Sequence, residues 1–461
     1  MGTYRVYIGG VEVNVSQDDW RIYDIKTLSG EIYKKVCDRP AFAIFSGEGS
    51  AEVIIEADRE FQTVAVRPLS AGISAAVEGR TVRFTLDHPR NVSVEFDGDL
   101  LEPLFLFYNP ACKRPEGFYT HVFEAGQVYD AGVVELHSGD RVCVEEGALV
   151  YGCFFAREAE DIVLEGGGVV CGTKMHRGVS VLDRRQLIRL EKCRNVRISG
   201  ITLFDGPSWH CVPVNCEDVV IDNLHIISMV PSGDGVDFCG CRNCAVKNSF
   251  FRTNDDCVVI KALHNNYEGG ELLPMYNIMT EGCVIWSATH GNGLEIGYEL
   301  CTWDVYDIVF RDCDIIHCEF EGYQSGGALT IHNGDRADVH DILYEDIRIE
   351  DALEKVFDLK ICNAVWSKDN IRGQIRNVHF KGIHIVDGPF PPSIMKGFET
   401  TDSIFKVCHD ENMVLYVTRD LHKTGALRDI LIEDFTVYGE KKTNFMDAKV
   451  LIEIATNITF K

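Results

Sequence analysis

Two stretches of similar pattern decide the fold: Asn195–Phe204, NVRISGITLF, and Asp218–Ile227, DVVIDNLHII. Each begins with Asn or Asp, continues with apolar residues at alternate positions, and then alternates again after a short break. Alternation with a period of two indicates strands rather than helices. The two copies begin 23 residues apart, an interval typical of a solenoid in which each unit buries its apolar face on the next.

The same pattern recurs through the second part of the chain. Further copies start at Asp307, Asp341, Asn377 and Asp429, with Asn243 and Asn277 as looser members. An Asn or Asp at the start of each copy suits a tight corner, because its side chain satisfies local backbone groups. We therefore predict a parallel β-helix over residues 126–461. The segment Phe390–Ala426, with Pro391 and Pro392, breaks the rhythm and is predicted to be a long loop.

Residues 1–125 have a different pattern. Short alternating runs such as Tyr4–Val15 and Thr81–Leu86 are separated by turn residues such as Asp97-Gly98. Many short strands with regular turns are typical of an antiparallel sandwich. The chain is therefore predicted to be all-β, with a β-sandwich domain over residues 1–125 and a β-helix domain over residues 126–461.

The charge of the chain excludes one class of partner. The 461 residues carry 45 basic and 71 acidic side chains, for a net charge of −26. A nucleic-acid-binding protein needs a basic surface, so we expect no nucleic-acid partner. A strongly anionic polymer is also an awkward substrate for such a chain. No stretch approaches the roughly 20 apolar residues that span a bilayer, so we expect no membrane partner.

The cysteines favour a reducing compartment. The chain has 18 cysteines without the paired spacing of a disulfide scaffold. Cys239, Cys241 and Cys244 resemble a metal cluster, but a second C-x-x-C pair is missing, and thiols packed in a stacked core explain the pattern better. The N-terminus lacks the features of a signal peptide. We expect a cytoplasmic protein, or a secreted one if a signal has been removed.

An acidic cluster lies in two successive units of the repeat. One unit contains Ser232–Asp237, SGDGVD, and the next contains Asn254–Lys261, NDDCVVIK. Asp234 precedes Asp255 by 21 residues and Asp256 by 22, which stacks the three carboxylates on one face of the helix. Both motifs are also ordinary turn sequences. Crowded carboxylates raise at least one pKa, and glycoside hydrolysis needs a protonated acid beside an ionised base.

These motifs resemble those of the polygalacturonase-like glycoside hydrolases of family 28. They also resemble those of the dextranase and isopullulanase group of family 49. The family motifs Asn-Thr-Asp-Gly and Asp-Asp align with this chain without gaps. The resemblance implies a pectin-lyase-like, right-handed β-helix, preceded by a sandwich as in the dextranase group. It also implies cleavage with inversion, with Asp255 as the general acid and with Asp234 and Asp256 holding and activating water. No cofactor and no metal is expected.

Two departures from the family pattern concern the substrate. The family motif Gly-His-Gly falls within Thr289–Gly297, where either His290 or Asn292 takes the place of the histidine. Glu295 replaces a family serine and is a candidate for binding a sugar hydroxyl. The family pair Arg-Ile-Lys, which binds a uronate carboxylate, is absent near Ala328–His332. A neutral or differently substituted saccharide is therefore expected instead of plain galacturonan.

Candidate residues follow from these motifs and from the aromatic residues near them. The predicted catalytic residues are Asp234, Asp255, Asp256 and His290. The predicted substrate-binding residues are Trp209, His210, Lys261, Asn292, Glu295, Tyr323 and His332. The expected partner is a carbohydrate, and the sequence leaves oligomerisation open.

Two other functions remain open from the sequence. A polysaccharide lyase of the same fold would use Ca²⁺ with an Arg or Lys base, and the acidic residues would then be metal ligands. A non-catalytic solenoid that binds carbohydrate would have no need for carboxylates in register. Loss of activity on chelation would identify the lyase, and binding that survives Asp234→Asn would identify the binding module.

Overall fold

A computed structural model describes residues 3–17, 39–111, 117–175, 185–262, 272–288, 290–319, 326–368, 370–398 and 425–461, and the backbone of 22–26 and 32–36. Nearly all of the regular structure is β-strand, as predicted. In the described part of the chain, no helix has the length and apolar character needed to cross a membrane.

The N-terminal region is a sandwich of two five-stranded sheets. The strands of the first sheet are Tyr4–Ile8, Val11–Val13, Ala51–Ala57, Ala76–Glu78 and Thr81–Leu86. Those of the second are Val15–Gln17, Ala41–Gly47, Val64–Arg67, Asn91–Phe96 and Leu104–Pro110. A hairpin of Ile22–Lys26 and Ile32–Val36 and a 3-10 turn at Leu69–Ala71 complete this region. The two sheets enclose their own apolar core.

The remaining 30 strands form one parallel coil with three faces. The first face contains His121–Phe123, Arg141–Val144, Glu160–Gly166, Arg194–Ser199, Glu217–Asp222, Arg242–Lys247, Met275–Glu281, Asp304–Arg311 and Ala455–Phe460. The second contains Val169–Cys171, Thr202–Phe204, His225–Ile227, Phe250–Thr253, Val284–Ser287 and Asp314–Cys318. Asp338–Ile349, Gln374–Ile385 and Leu427–Val437 run through both, and Glu440–Lys441 pairs with the last of these.

The third face carries the acidic residues predicted from the sequence. It contains Ile188–Glu191, Cys211–Val214, Val236–Cys239, Val258–Ala262, Leu294–Leu300, Leu329–Asn333, Phe357–Ile361, Ser393–Lys396 and Val450–Glu453. Two early strands, Val128–Leu136 and Leu149–Arg157, pair with each other, and Leu149–Arg157 contributes to both the second and the third face.

The strand Ser393–Lys396 corrects the prediction of a loop over Phe390–Ala426, because this strand pairs with Phe357–Ile361 despite the two prolines before it. The remainder of that predicted loop, residues 399–424, lies outside the described residues.

The corners of the coil confirm the prediction made from the repeated Asn and Asp. All eight residues that open a copy of the repeat have a left-handed backbone, with φ between 51° and 58°. Asn and Asp tolerate this conformation better than other residues with a side chain. Their side chains also bond from one turn to the next, as Asn277 Nδ2 donates to Asn243 Oδ1 at 2.9 Å. The polar corner residues therefore hold successive turns in register.

An aromatic cluster joins the sandwich to the second face of the coil. Phe105 and Phe107 of the sandwich pack on Phe250, with ring centroids 4.9 and 5.2 Å apart. Trp286 closes this cluster at 5.7 Å from Phe105. An interface of buried aromatic rings excludes water and stabilises the contact. Because the sandwich covers the second face, the third face is left for other contacts.

Candidate active site

Strand register on the third face brings the predicted carboxylates together. Val236 pairs with Val258, and Val258 pairs with Leu294. Two residues earlier in each strand, Asp234, Asp256 and Asn292 therefore occupy the same position on three successive turns. Parallel neighbours are about 4.8 Å apart, so these side chains lie within contact distance. One oxygen of each of Asp234, Asp255 and Asp256 lies within 4.8 Å of the others.

Close backbone packing fixes the turn that carries Asp255 and Asp256. The Asp256 carbonyl accepts a hydrogen bond from Gly235 N at 2.8 Å. A Cβ added at Gly291 would lie 2.0 Å from the Asp255 carbonyl carbon and 2.1 Å from Asp256 N. Only glycine fits at such a distance. The glycine of the third motif thus lets the next turn approach the backbone of the acidic pair.

Lys261 is the counter-charge at the centre of the site. Its Nζ lies 2.8 Å from Asp234 Oδ2, 3.1 Å from Asp237 Oδ1 and 3.4 Å from Asp256 Oδ2. All four side chains are at most 6% exposed. Sequence reasoning missed Asp237, although strand alternation places it on the outer face with Cys239, whose register partner is Lys261. None of these ion pairs of Lys261 reaches Asp255.

The pKa values of the buried aspartates in the site shift in opposite directions. Burial raises the pKa of Asp255 well above its ordinary value, and the negative charges of Asp234 and Asp256 add to the effect. Burial also raises the pKa of Asp234 against the opposing effect of Lys261, and it raises that of Asp237 to about 7. Asp256 differs: although burial opposes the change, Lys261 and the hydrogen bonds to its carboxylate lower its pKa. The shifts favour the protonated form of Asp255 and the ionised form of Asp256, which is the pairing that acid–base catalysis needs.

The ammonium group of Lys261 affects whether the three carboxylates could bind a metal ion. Three carboxylate oxygens this close have the spacing of a cation site, but Lys261 Nζ already contacts Asp234 and Asp256. Burial opposes the charged form of Lys261, yet the carboxylates around it raise its pKa well above the ordinary value. The Lys261 ammonium thus lies where a cation would contact Asp234 and Asp256, which favours an interpretation of the carboxylates as acid–base groups.

Asn292 takes the position next to Asp256. Its backbone N and its side-chain Nδ2 donate to Asp256 Oδ1 at 2.9 and 2.8 Å. Of the two candidates from the third motif, Asn292 is thus the one in register with Asp234 and Asp256. His290 is half-buried in the turn before it, and its catalytic role stays a prediction. The adjacent Thr289 lies outside the described residues.

The two aromatic candidates of the preceding turn have different places. Trp209 is half-buried, and Lys261 Nζ lies over its ring at 4.3 Å from the centroid. It packs on a small cluster that includes Cys239, which faces outward here and not into the core. His210 is fully buried, with Nδ1 at 3.0 Å from the Asp234 carbonyl and Nε2 accepting from Gly206 N at 2.9 Å. This corrects the predicted sugar contact of His210, because both ring nitrogens hold backbone groups behind Asp234.

Two further candidates lie one and two turns beyond the acidic pair. Glu295 and His332 are fully buried, and His332 Nδ1 lies 2.8 Å from Glu295 Oε1. Thr330 and His332, in the stretch where the family's basic pair was expected, are both fully buried. The predicted sugar contact of Tyr323 lies outside the described residues.

Comparisons with known proteins agree with this geometry. Residues 167–387 match the family described as glycosyl hydrolases family 28. A probable polygalacturonase of Vitis vinifera is 29% identical over 106 residues, which are 23% of this chain and 22% of that protein. A polygalacturonase of Cryptomeria japonica is 24% identical over 212 residues, or 41% of each. The chain thus spans less than half the length of these two relatives.

A solved structure resembles the chain over nearly its whole length. Dex49A from Penicillium minioluteum is 13% identical, covers 99% of this chain and 93% of its own, and superimposes with a TM-score of 0.63. At this identity the likeness concerns the fold alone. The match to family 28 and this fold together confirm the resemblance expected from the motifs, including a sandwich ahead of a right-handed β-helix.

Proposed function

We propose, for a glycoside hydrolase whose residues 167–387 match family 28, that the site cleaves O-glycosidic bonds by direct attack of water, with inversion. Asp255 protonates the leaving oxygen, and Asp234 and Asp256 hold and activate the water. The observation that carries the proposal is the contrast within one site: Lys261 contacts Asp234 and Asp256, whereas Asp255 receives none of these ion pairs. One group is thereby kept as an acid beside an ionised base.

Asp234 has a free acceptor for the water. Its Oδ2 is bound by Lys261, whereas its Oδ1 is buried and has no hydrogen-bond partner among the described residues. A buried carboxylate oxygen without a partner is unfavourable unless a ligand or water satisfies it. We propose that the attacking water satisfies this oxygen.

The short distance between the carboxylates is closer to that of retaining enzymes than to that of inverting enzymes. Inverting enzymes in general separate their two carboxyl groups by about 6.5–9.5 Å, and retaining enzymes by about 5–5.5 Å. Here one oxygen of each of the three groups lies within 4.8 Å of the others. Retention through a covalent intermediate on Asp256 is therefore the competing mechanism. The family resemblance and the Lys261 contact to Asp256, which makes that carboxylate a weaker nucleophile, support inversion.

We propose a neutral saccharide as the substrate. Thr330 and His332, both fully buried, occupy the place of the basic pair that binds uronate in the family. Three lysines at this face are already paired: Lys261 with three aspartates, and Lys355 and Lys360 with Asp358. Galacturonan, suggested by the names of the relatives, is the competing substrate.

The described cysteines, all free thiols, support our further proposal of a reducing compartment such as the cytoplasm.

A substrate panel tests the proposal. The wild-type protein and Asp255→Asn are incubated with neutral glycans and with polygalacturonate, and released reducing ends and ultraviolet absorbance are followed. We expect reducing ends from a neutral glycan, none from polygalacturonate, and loss of activity in the variant. Asp304→Asn, on the first face, is the matched control and should keep full activity. Hydrolysis of polygalacturonate alone would refute the neutral substrate, and an unsaturated product would establish a lyase.

A further inference from the structure

A buried chain of polar side chains extends from the catalytic base along the third face. Asn292 Nδ2 donates to Asp256 Oδ1 at 2.8 Å and to Glu295 Oε2 at 2.7 Å. Glu295 Oε1 lies 2.8 Å from His332 Nδ1, and His332 Nε2 lies 3.2 Å from Asp358 Oδ2. These five side chains are at most 6% exposed. The register of the strands places Glu295, His332 and Asp358 on the outer face of three successive turns, and Asp256 lies one turn earlier.

The far end of the chain is anchored. Lys360 Nζ lies 3.0 Å from Asp358 Oδ1, and Lys355 Nζ lies 3.5 Å from Asp358 Oδ2. The ring of Tyr298 stacks on that of His332, with centroids 4.3 Å apart and planes inclined by 19°. The imidazole is thus held on its edge by two acids and on its face by an aromatic ring. Such packing fixes the position of His332 and, through it, that of Glu295.

The orientation of the Asn292 amide depends on Glu295. Both hydrogens of Nδ2 are used, one toward Asp256 and one toward Glu295, and Oδ1 accepts from Gly327 N at 3.1 Å. The opposite orientation would turn Oδ1 toward two acidic groups and Nδ2 toward a backbone N–H. Glu295 is therefore a reason that Asn292 presents a donor to Asp256.

The contact between Glu295 and His332 requires one shared proton. Burial, together with the charge of Asp256, raises the pKa of Glu295 well above its ordinary value, whereas burial lowers that of His332. A hydrogen bond with Asp256 further raises the pKa of Glu295, and the same bond lowers the pKa of Asp256. These shifts favour a protonated Glu295, which adds no negative charge beside Asp256.

We propose that Glu295, held between Asn292 and His332, is a positioning residue that orients Asn292 to donate to Asp256 and so keeps Asp256 ionised as the base. This proposal rests on the function proposed above, in which Asp256 activates water. It extends the catalytic machinery by one turn of the β-helix, to Glu295, which takes the place of a family serine, and by a second turn to His332, which contacts it. Glu295 does not touch the reacting atoms in this account.

The test compares a conservative and a disruptive variant of Glu295. Glu295→Gln keeps an uncharged side chain with an acceptor for Asn292 and a donor for His332. Glu295→Met keeps the volume and removes both. The titration midpoint of Asp256 is measured by carboxyl ¹³C NMR on protein labelled at aspartate, and the Asp256 resonance is identified by its loss in Asp256→Asn. Glu345→Gln, on the first face, is the control and should leave the midpoint unmoved.

We expect the Asp256 midpoint to rise by about one pH unit in Glu295→Met and to stay within a few tenths of a unit in Glu295→Gln. The acidic limb of kcat/KM should shift in parallel with the midpoint. An equal shift in both variants would overturn the proposal, since it would mean that an ionised Glu295 is needed. An unchanged midpoint with reduced activity would also overturn it, since it would reveal a structural role only.

Two further controls separate the possible failures. Thermal unfolding of each variant shows whether the fold survives, and Asn292→Ala, which removes the donor itself, replaces Glu295→Met if that variant does not fold. The NMR titration needs no substrate. If no glycan is hydrolysed but the Asp256 midpoint shifts as expected, the positioning role of Glu295 stands and the proposed function is refuted. If a glycan is hydrolysed but the Asp256 midpoint does not move, the proposed function stands and the positioning role is refuted.

Discussion

Asp255 and Asp256 are consecutive in the chain, yet their pKa values move in opposite directions, upward for Asp255 and downward for Asp256. The difference arises because only Asp256 faces Lys261, at 3.4 Å, and the Asn292 donors, at 2.8 and 2.9 Å. Asp255 Oδ1 accepts a hydrogen bond from Asp256 N at 3.1 Å, but burial and the negative neighbours outweigh this bond and the charge of Lys261. One tight turn thus gives two identical side chains opposite pKa shifts.

The acid role of Asp255 predicts a dependence on the leaving group. Asp255→Asn should lower kcat by about 10²–10⁴-fold on a natural glycan, because the departing sugar oxygen needs a proton. An activated aryl glycoside of the same sugar, which leaves without a proton, should lose less than about tenfold by the same reasoning. Steady-state kinetics on the two substrates measure the contrast. Equal losses on both would contradict the assignment of Asp255 as the acid.

Removal of the central ammonium should destabilise the protein in a pH-dependent way. Lys261→Met leaves buried carboxylates without a counter-charge, which typically costs about 3–5 kcal/mol of unfolding free energy. The unpaired groups favour their protonated forms, so the deficit should shrink as the pH falls and grow as it rises. Denaturant unfolding at pH 5 and pH 8 measures this. Lys368→Met, at an exposed site, is the control and should show little change at either pH.

The junction between the sandwich and the coil contains a second pH-dependent group. His317 lies 3.1 Å from Glu95 of the sandwich and 2.9 Å from Asp351, and Arg67 lies 3.1 Å from the other oxygen of Glu95. Although burial opposes the change, the two acids raise the pKa of His317 to about 9. A raised pKa stabilises the fold fully below the unfolded value of about 6.5, and this stabilisation is lost as the pH rises through about 9.

His317→Gln should therefore be less stable than the wild type at pH 6 by roughly 2–3 kcal/mol, and the difference should close by pH 10. Denaturant unfolding across this range gives both curves. A constant difference over the range would mean that His317 is neutral in the folded protein.

The close approach of Gly291 predicts a steric effect on catalysis. Gly291→Ala would place a methyl group 2.0 Å from the Asp255 carbonyl carbon, so the acidic turn must shift. A displacement of this kind should lower kcat/KM by about 10²-fold. Gly49→Ala is the control, because its φ of +71° also disfavours alanine but no atom lies within 4 Å of the added Cβ. The control should lose some stability and retain its activity. Retained activity in Gly291→Ala would show that the turn tolerates the shift.

The parts of the structure that depend on local repetition could be predicted from the sequence. The eight Asn and Asp residues marked the corners, and the spacing of 22 residues placed Asp234 next to Asp256, as the pairing of Val236 with Val258 requires. These inferences needed only short units of similar length. Glycine and acid motifs then indicated which face carries the site.

Other features depend on register across insertions of unknown length. Asp358 joins the site because strands separated by longer segments align, and a single sequence does not show that alignment. Asp237 was missed although the same 22-residue register places it on the outer face. His210 was misjudged because the direction of its ring depends on the turn that buries it. The strand Ser393–Lys396 was missed because its neighbouring prolines resemble a loop.

The anomeric form of the first product tests the central claim most directly. The wild-type protein is given the best neutral substrate of the panel, and ¹H NMR follows the released sugar before mutarotation. The account predicts a first product whose anomeric configuration is opposite to that of the bond cleaved. A product of retained configuration would contradict direct attack by water held at Asp234 and Asp256, and would assign a covalent intermediate to this site instead.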